Sequence, residues 1–532
     1  MVSKYRLYAS ITVASLTLLI IYLVPYHMDE FISYHALACS NRAQQINSYR
    51  ESCSAYPTAL FGYVYQRSYD YIGIASSLLF KPFFMIWHSL YTHYFVGVLA
   101  LIVIALGLKK SFTLENNHLP IILIYFPVVF TVIHDGGPVR IGMIVFSWTP
   151  FIASRVLVNS GWRRQMFNAI LLILWLIAIE DKPYFLFLIP GLIFLTCSLI
   201  EIGGIRTSVR NSSKRLFGYL SVNTAICVTF LFILQANRTS YFRFLYSRWQ
   251  YETSSNSNYG VIELVLGPIK HLFIGGLLVF DWPYYAHRTI DFENASNFNG
   301  LPIIGAASKY IPLGFSFQTI VSLVISLVVI YCVGKIVIEI IRFTIRSTSN
   351  QRWNNISSLI LSSFFLLICI ALTGGKMMHH YVYVHVPILI AIVRYWEYQN
   401  LSLSLIFKKI SVISFASLAA IFILPSKTNT SLEIQQVMRK GLQVADINDV
   451  INCQSWGCYS PYSLLNTNNI PVVFAVDSIE IQELQAKMMG KGKILHVCMD
   501  CNLQDLSILY KDSEVQLLDT KTKFWKIFLV RN

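Results

Sequence analysis

The sequence contains few charged residues for its length. Only 13% of its 532 residues are Asp, Glu, Lys or Arg, whereas 55% are hydrophobic, and the mean hydropathy is +0.54. A soluble protein of this size needs a more charged surface, so the composition excludes an ordinary soluble protein. Several nearly uncharged stretches are long enough to cross roughly 30 Å of hydrocarbon. The chain is therefore predicted to be a polytopic α-helical membrane protein.

The sequence also lacks a basic stripe interleaved with aromatic residues on a soluble segment. The net charge is +15, but the lysines and arginines cluster in short connections between apolar stretches. In such positions they set the topology of a membrane protein and contact anionic lipid headgroups. We therefore expect membrane lipid as a partner and no binding of nucleic acid.

Apolar stretches predict about eleven transmembrane spans. We place them approximately at 7–26, 88–108, 119–133, 141–159, 166–180, 184–200, 217–235, 312–341, 356–373, 381–398 and 410–425. The stretch Val261–Phe280 has a similar length, but it contains Glu263 and Lys270. If it crossed, every later loop would be inverted, so we interpret it as an interfacial or re-entrant pair of helices.

The basic residues favour one orientation. They lie in every second connection, whereas the short alternate loops carry only Arg140, Lys182 and Lys376. The positive-inside rule places the basic turns in the cytoplasm. The exported side then contains the loops 27–87 and 236–311 and the tail. We divide the chain into a transmembrane module, 1–425, and an exported domain, 426–532.

The tail has the pattern of a small soluble α/β domain. Buried strands are predicted near 470–476 and 493–497, and an amphipathic helix is predicted at 478–489. A final hairpin is predicted from 515–518 and 524–530.

The distribution of the ten cysteines fits this division. Cys197, Cys227, Cys332 and Cys369 lie in predicted spans and are expected to act as small hydrophobic residues. Disulfides form in oxidising compartments, so they are expected among the cysteines of the exported segments. These are Cys39 and Cys53, which would pair, and Cys453, Cys458, Cys498 and Cys501, whose pairing stays open.

Two alternatives concern these tail cysteines. Together they could form a four-thiolate zinc site. The spacing of Cys498 and Cys501 also fits a redox pair, but we predict no thioredoxin-like strand–helix context around it. Disulfides are the preferred interpretation, and no metal ligand is assigned.

Polar residues recur at the ends of the predicted spans on the exported side. Asp29 and Glu30 directly follow the first span, where unpaired charge is costly and often functional. Later exported turns contain further polar groups: His134 and Asp135; Glu180, Asp181 and Lys182; and Lys376, His379, His380 and Tyr381. This convergence predicts a site for an anionic ligand at the exported face.

These residue types suit glycosyl transfer from a lipid phosphate. A carboxylate accepts the proton of an acceptor hydroxyl, and cations or hydrogen-bond donors stabilise the departing phosphate. Asp29 is the preferred base and Glu30 the alternate. The candidates for the phosphate are Lys376, His379, His380, Tyr381, Arg243 and Arg248.

The chain resembles the GT-C superfamily of integral-membrane glycosyltransferases in four features. They are the Asp29-Glu30 pair at this position, the large first exported loop, the many spans, and the late Lys376…His379-His380-Tyr381…Pro387 stretch. The resemblance implies a polyprenyl-phosphate-sugar donor, a glycan acceptor and an inverting reaction. It also implies a second acidic site, for which His134-Asp135 is the counterpart. The layout is similar to bacterial inner-membrane enzymes that decorate surface polysaccharide, such as O-antigen glucosyltransferases, with a periplasmic C-terminus. No cofactor is implied, and a divalent cation at Asp29 and Glu30 stays open.

Several alternatives remain at this point. A glycan ligase or polymerase is disfavoured by the first-span carboxylates. A lipid or sugar transporter or flippase is disfavoured by the rarity of mid-span charges, and a secondary transporter also by the absence of internal repeats. Individual residues also have structural interpretations: Asp135 as a helix cap, His379-His380 as an interfacial pair, Glu180–Lys182 as a polar turn, and the aromatic stretch 241–251 as an interface belt.

Overall fold

The computed structural model describes the chain in segments. They are 2–23, 58–60, 63–65, 90–134, 137–181, 184–201, 212–236, 317–346, 351–372, 378–423, 430–453, 478–499 and most of 470–473 and 501–531, with scattered positions within 79–87 and 269–283.

Apolar helices account for most of the described residues before the tail. They are α1 (Val2–Leu23), α2 (Leu90–Ser111), α3 (Leu119–Ile124), α4 (Phe126–His134), α5 (Gly137–Val158), α6 (Gly161–Asp181), α7 (Phe185–Glu201), α8 (Ser212–Ala236), α9 (Phe317–Arg346), α10 (Gln351–Leu372), α11 (Val382–Tyr398) and α12 (Leu403–Ile423). A short hairpin of β1 (Thr58–Leu60) and β2 (Tyr63–Tyr65) lies in the first predicted exported loop. Every predicted span overlaps at least one of these helices, which confirms a mostly helical membrane fold.

Not every helix meets a strict length and hydropathy criterion for a span. Among the described residues, five helices do, and a bent pair would make a sixth. The helices Tyr5–Ile21, Phe185–Ile200 and Ile356–Leu372 are apolar but shorter. The number of eleven spans therefore stays a prediction.

The third predicted span is a broken helix. The segment 116–124, a 3₁₀ turn followed by α3, meets α4 at an angle of 69°, and Tyr125 between them has an extended ψ of 105°. Pro127 explains the break, because its ring would clash with the carbonyl of Leu123 in a continuous helix. The break places the Tyr125 side chain in the core of the module.

The outer faces of the module are apolar. Helix α9 exposes Val324, Val328 and Tyr331, which are 54%, 55% and 69% exposed. These positions follow helical spacing and therefore form one face. In water such a face would be unfavourable, whereas in a bilayer it contacts lipid tails.

The tail contains a five-stranded sheet with the order β4-β3-β5-β7-β6. Its strands are β3 (Val450–Cys453), β4 (Val472–Val473), β5 (Ile494–Met499), β6 (Glu514–Leu518) and β7 (Trp525–Arg531). Strand β3 is parallel to β4 and β5, while β7 is antiparallel to β5 and β6. The tail helices are α13 (Thr430–Val444), α14 (Ser478–Met488) and α15 (Leu503–Leu509).

Each face of this sheet has its own apolar core. Helix α13 packs on one face through Ile434 and Val437, against Leu495 of β5. Helices α14 and α15 pack on the other face, where Ile481 and Leu506 contact a second core. The alternation of side chains along β5 divides its residues between these cores.

The tail confirms the predicted α/β pattern, since β4, β5, α14 and the β6–β7 hairpin lie where they were expected. Strand β3 and helices α13 and α15 were not predicted. Helix α15 has only seven residues, too few for a clear helical period. Its N-cap is Asn502, whose side chain accepts a hydrogen bond from the Asp505 backbone.

The structure decides part of the cysteine pairing. Cys498 and Cys501 form a disulfide with a Cα–Cα separation of 6.0 Å. Cys498 belongs to β5, and Cys501 lies just before the N-cap of α15, so the pair joins a strand to a short helix. The four-thiolate zinc alternative was also wrong, since Cys453 and Cys498 belong to the cores on opposite faces of the sheet.

The other cysteine predictions have different outcomes. Cys39, Cys53 and Cys458 lie outside the described residues, so their pairing stays a prediction. The span cysteines lie in helices α7, α8, α9 and α10, as expected.

A polar network lies inside the second core. The Asn452 amide donates to Tyr510 Oη over 3.1 Å, and Tyr510 Oη lies 2.8 Å from His496 Nδ1. Burial lowers the pKa of His496 to about 3, so its imidazole is neutral in the folded tail. A buried polar group without a hydrogen-bond partner would destabilise the folded tail, and the network provides these side chains with partners.

We expect Leu495→Ala to weaken the tail by about 2–5 kcal/mol, because it removes a side chain from the centre of the sheet and leaves a cavity. Leu495 is fully buried, whereas the matched control Leu517 is 48% exposed. Hydrogen exchange of sheet amides in the full-length protein measures the effect. Similar protection in Leu495→Ala and Leu517→Ala would contradict the packing described here.

Candidate functional site

Contacts between helix ends divide the ends of the membrane helices into two groups, one at each end of the bundle. At one end, the start of α2 meets the end of α4 and the start of α5, through His93 and Arg140. At the other end, the turn after α2 meets the C-terminal part of α11, because Arg394 donates to the carbonyl of Phe112 over 3.1 Å. The first group is the end to which the sequence assigned its polar turns, and we call it the polar end.

Arg140 is the buried cation of the polar end. Its Nε donates to the carbonyl of Val132 over 2.8 Å, and its NH2 group donates to the carbonyl of Ile133 over 2.9 Å. These carbonyls belong to the last turn of α4, where carbonyls lack partners within the helix and the helix dipole favours a cation. Arg140 therefore caps α4 from the neighbouring α5.

His93 contacts the same guanidinium. Its Nε2 lies 2.8 Å from the NH2 group of Arg140, and its Nδ1 lies 3.2 Å from NH1. A guanidinium is only a donor, so the acceptor nitrogen must belong to a neutral imidazole. Gly97, one turn later on α2, allows this approach, because a Cβ there would lie 2.8 Å from Arg140 NH2.

His134 ends α4 beside this cluster. Its side chain is fully buried, and its ring stacks on Phe130 with a centroid distance of 4.9 Å. It therefore lies at the polar end, as predicted, but in a packed position within the core.

A small pocket lies on the other side of the first turn of α5. Residues from α5, α6, α7 and α11, together with the 3₁₀ turn 378–381, line it: Val139, Gly142, Ala178, Tyr184, Phe185, His380 and Tyr383. His380 and Tyr184 stack with a centroid distance of 3.8 Å and an interplanar angle of 16°. Two turns that are distant in sequence thus meet at one pocket.

Gly142 shapes the wall of this pocket. A Cβ at Gly142 would overlap the Tyr383 hydroxyl and would lie 3.5 Å from Phe185 Cδ2. Tyr383 is nearly fully buried, so it has little room to move. The glycine therefore lets a phenol group reach the pocket wall beside the imidazole of His380.

Two acidic residues end α6 near this pocket. Glu180 and Asp181 are 7% and 0% exposed, and Ala178 of the same helix lines the pocket. Carboxylates are rarely buried without partners. Glu180 and Asp181 are therefore packed inside the protein, at the end of α6.

Part of the second predicted exported loop also enters the core. Trp282 is 2% exposed and packs against Tyr125 with a centroid distance of 4.8 Å. Tyr125 Oη in turn lies 3.1 Å from His385 Nδ1. Gly275 approaches Tyr381 so closely that an added Cβ would overlap Tyr381 Cε1. The described part of this loop therefore packs on the start of α11.

The structure brings together some of the predicted site residues. His134, His380 and Tyr381 lie at the polar end and are buried. The backbone of His379 lies in the 3₁₀ turn beside His380. The remaining candidates lie outside the described residues: Asp29, Glu30, Asp135, Lys376, Arg243 and Arg248.

Sequence reasoning missed several polar-end residues. His93 was hidden in an apolar stretch, although an ionisable residue in the first turn of a span is itself a signal. Arg140 was counted only as a loop charge. Tyr184 and Tyr383 resemble the other aromatic residues of an aromatic-rich chain, and no sequence signal separates them.

The opposite end contains an ion-pair cluster that was also missed. His118 Nε2 lies 2.6 Å from Glu397 Oε1, and Arg394 lies 3.3 Å from Glu397 Oε2. This cluster joins the start of the broken span to the end of α11. It binds helices together at the end assigned to the cytoplasm and shares no residue with the pocket.

No protein-family model matches the chain, and no curated protein matches it significantly. Among solved structures, the chain is similar to ArnT from Cupriavidus metallidurans in the apo state, with a TM-score of 0.43 and 10% identity over 99% of this chain and 98% of that chain. It is also similar to ArnT from the same organism bound to undecaprenyl phosphate, with a TM-score of 0.42 and 10% identity over 99% and 97% of the two chains.

We expect Gly275→Ala to lower the stability of the protein by about 1–3 kcal/mol, because overpacking forces buried neighbours to move. Tyr381 is 1% exposed and cannot yield easily. The adjacent Gly276 is the control, since a Cβ there meets nothing within 4 Å. Melting temperatures in detergent provide the measurement, and equal values for Gly275→Ala and Gly276→Ala would refute this contact.

Proposed function

We propose that this protein is an inverting glycosyltransferase of the GT-C type. It moves a single sugar from a polyprenyl-phosphate donor to a glycan or lipid-linked glycan acceptor, such as O-antigen. The reaction takes place at the exported face of the bacterial inner membrane. The polar end of the helices is then the exported face, and the tail is periplasmic.

The observation that carries the proposal is the pocket between Tyr184, His380 and Tyr383. An imidazole and two phenols provide hydrogen-bond donors suited to a phosphate oxygen. The pocket lies at the same end as the buried acids of α6 and the Arg140 cluster. ArnT, at a TM-score of 0.43, is too distant to support the proposal, which rests on these residues.

The proposed reaction is a single displacement. The acceptor hydroxyl oxygen attacks the anomeric carbon from the face opposite the phosphate, and the bond between that carbon and the phosphate oxygen breaks. The hydroxyl proton passes to the carboxylate of Asp29, with Glu30 orienting the acceptor or replacing it as base. Polyprenyl phosphate leaves with the bonding electrons.

Donors near the leaving group stabilise its developing charge. His380 is assigned this role among the described residues, together with Tyr381, Lys376, His379, Arg243 and Arg248 of the predicted set. His134 and Asp135 are assigned to the acceptor side. A monophosphate leaving group carries less charge than a pyrophosphate, so the mechanism requires no divalent cation.

A flippase would need polar groups along a path through the bilayer. Among the described residues, buried His118 lies in a 3₁₀ turn at the opposite end, whereas the buried ionisable residues of the polar end include His134, Glu180 and Asp181 in last turns and His93, Arg140 and His385 in first turns. The last three lie within about 6 Å of the start of α2, α5 or α11 at 1.5 Å per residue. Their concentration at one end favours chemistry at a surface over passage through the membrane.

We expect Asp29→Asn to lower sugar transfer by about 10²–10⁴-fold, because the amide cannot accept the hydroxyl proton. The assay follows transfer of labelled sugar from polyprenyl phosphate to acceptor by the purified protein in lipid nanodiscs. Asp505→Asn, an exposed carboxylate in the tail, is the matched control and should retain full activity. Unimpaired transfer by Asp29→Asn, with full loss in Glu30→Gln, would assign the base to Glu30. Unimpaired transfer by both variants would refute the mechanism.

We expect His380→Phe to weaken donor binding by roughly 10–100-fold, because a hydrogen bond to a charged group contributes about 1.5–3 kcal/mol. Phenylalanine can keep the stack on Tyr184, so the melting temperature should change little. Titration with a labelled donor lipid measures the affinity. Unchanged donor affinity would remove His380 from the phosphate site and leave the pocket without its main donor.

A further inference from the structure

A second cluster of chemically active side chains lies in the tail. His496, Cys498 and Cys501 each offer one ligand atom, and these three atoms lie within 4.8 Å of one another. His496 and Cys498 are two positions apart on β5 and therefore project from the same face. Cys501 follows the strand, just before the N-cap of α15.

The spacing of the cysteines suits a metal as well as a disulfide. Two cysteines separated by two residues commonly supply a pair of thiolates to zinc. With Zn–S bonds of about 2.3 Å, tetrahedral geometry needs a sulfur separation of about 3.8 Å. The Cα atoms are already 6.0 Å apart, so side-chain rotation provides most of the movement once the disulfide is open.

The histidine is already held by other polar groups. Tyr510 Oη and the Asn452 amide nitrogen lie 2.8 and 3.1 Å from His496 Nδ1, and the Asn452 amide also lies 3.1 Å from Tyr510 Oη. In the tautomer in which Nδ1 donates its proton to Tyr510, Nε2 carries the lone pair for a metal. Such hydrogen bonds to the second ring nitrogen are typical of histidine ligands.

A lysine supports the segment that carries the second cysteine. Lys526 of β7 is the strand partner of Cys498, and its Nζ donates to the carbonyl of Cys501 over 2.9 Å. This bond fixes the segment after β5, and the nearby positive charge favours thiolates over thiols. Cys498 is fully buried while Cys501 is partly exposed, so a metal would enter from the side of Cys501.

We propose that the reduced form of this cluster is a zinc site with two thiolates and one imidazole, and that the disulfide and the metal are alternative occupants of the same place. A phosphine or dithiol supplies two electrons, and the disulfide becomes two thiols. Zinc then displaces two thiol protons and binds both sulfurs and His496. The fourth position is open to water, as in zinc sites with three protein ligands.

The first test uses the unmodified full-length protein in detergent. After reduction with a phosphine, the protein is incubated with or without Zn²⁺ and alkylated with iodoacetamide, and each cysteine peptide is quantified by mass spectrometry. We expect zinc to slow alkylation of Cys498 and Cys501 at least tenfold and to leave Cys332 unchanged. Protection of neither tail cysteine, or equal protection of every cysteine, overturns the proposal.

The second test identifies the ligands. Titration of the reduced protein with Co²⁺ should give the absorption bands of a tetrahedral thiolate site, and Zn²⁺ should remove them. Cys501→Ser should lower the affinity at least 100-fold, whereas the matched control Cys332→Ser should bind like the wild type. His496→Gln should weaken binding and shift the Co²⁺ bands. Unchanged binding by Cys501→Ser would assign the metal to other cysteines and refute the site.

Discussion

The arrangement of the polar end depends on one buried cation. Arg140 donates to the last carbonyls of α4 and contacts His93 of α2, so a single guanidinium joins three helices. An unpaired charge in such a core would be very costly, whereas a hydrogen-bonded one defines the arrangement around it. The broken helix before it ends at this guanidinium and places His134 beside it. The position of the His134 side chain follows from this contact.

Close approach of helices provides the second constraint. Gly97, Gly142 and Gly275 each lie where a Cβ would contact a side chain of the polar end. Small residues are the usual way for membrane helices to approach closely, because lipid tails provide no hydrophobic force between helices. Here the approach does more than pack the bundle, because it leaves phenol and imidazole groups at the wall of one pocket.

The source of stability in the tail differs from that in the helical module. Its stability comes from two apolar cores on the faces of a mixed sheet, with one buried polar network. The proposed zinc site uses the same strand that divides these cores, so the redox state of one cysteine pair would be sensed at the centre of the sheet.

The sequence by itself determined the class of protein, the position of the helices and most of the tail pattern. Long apolar runs and alternating strands are local signals, because burial in lipid or in a sheet acts on each segment separately. For the same reason it placed His134, His380 and Tyr381 at one end, as residues flanking spans. It missed α15, which is too short to show a helical period.

Only the tertiary structure decided which of these residues meet. The stack of Tyr184 on His380, the contact of Arg140 with His93, and the grouping of His496 with Cys498 and Cys501 join residues through packing and strand register. Such contacts depend on which helix faces approach, and on which face of a strand a residue lies. No local pattern encodes these relations, because they result from the simultaneous burial of many distant side chains.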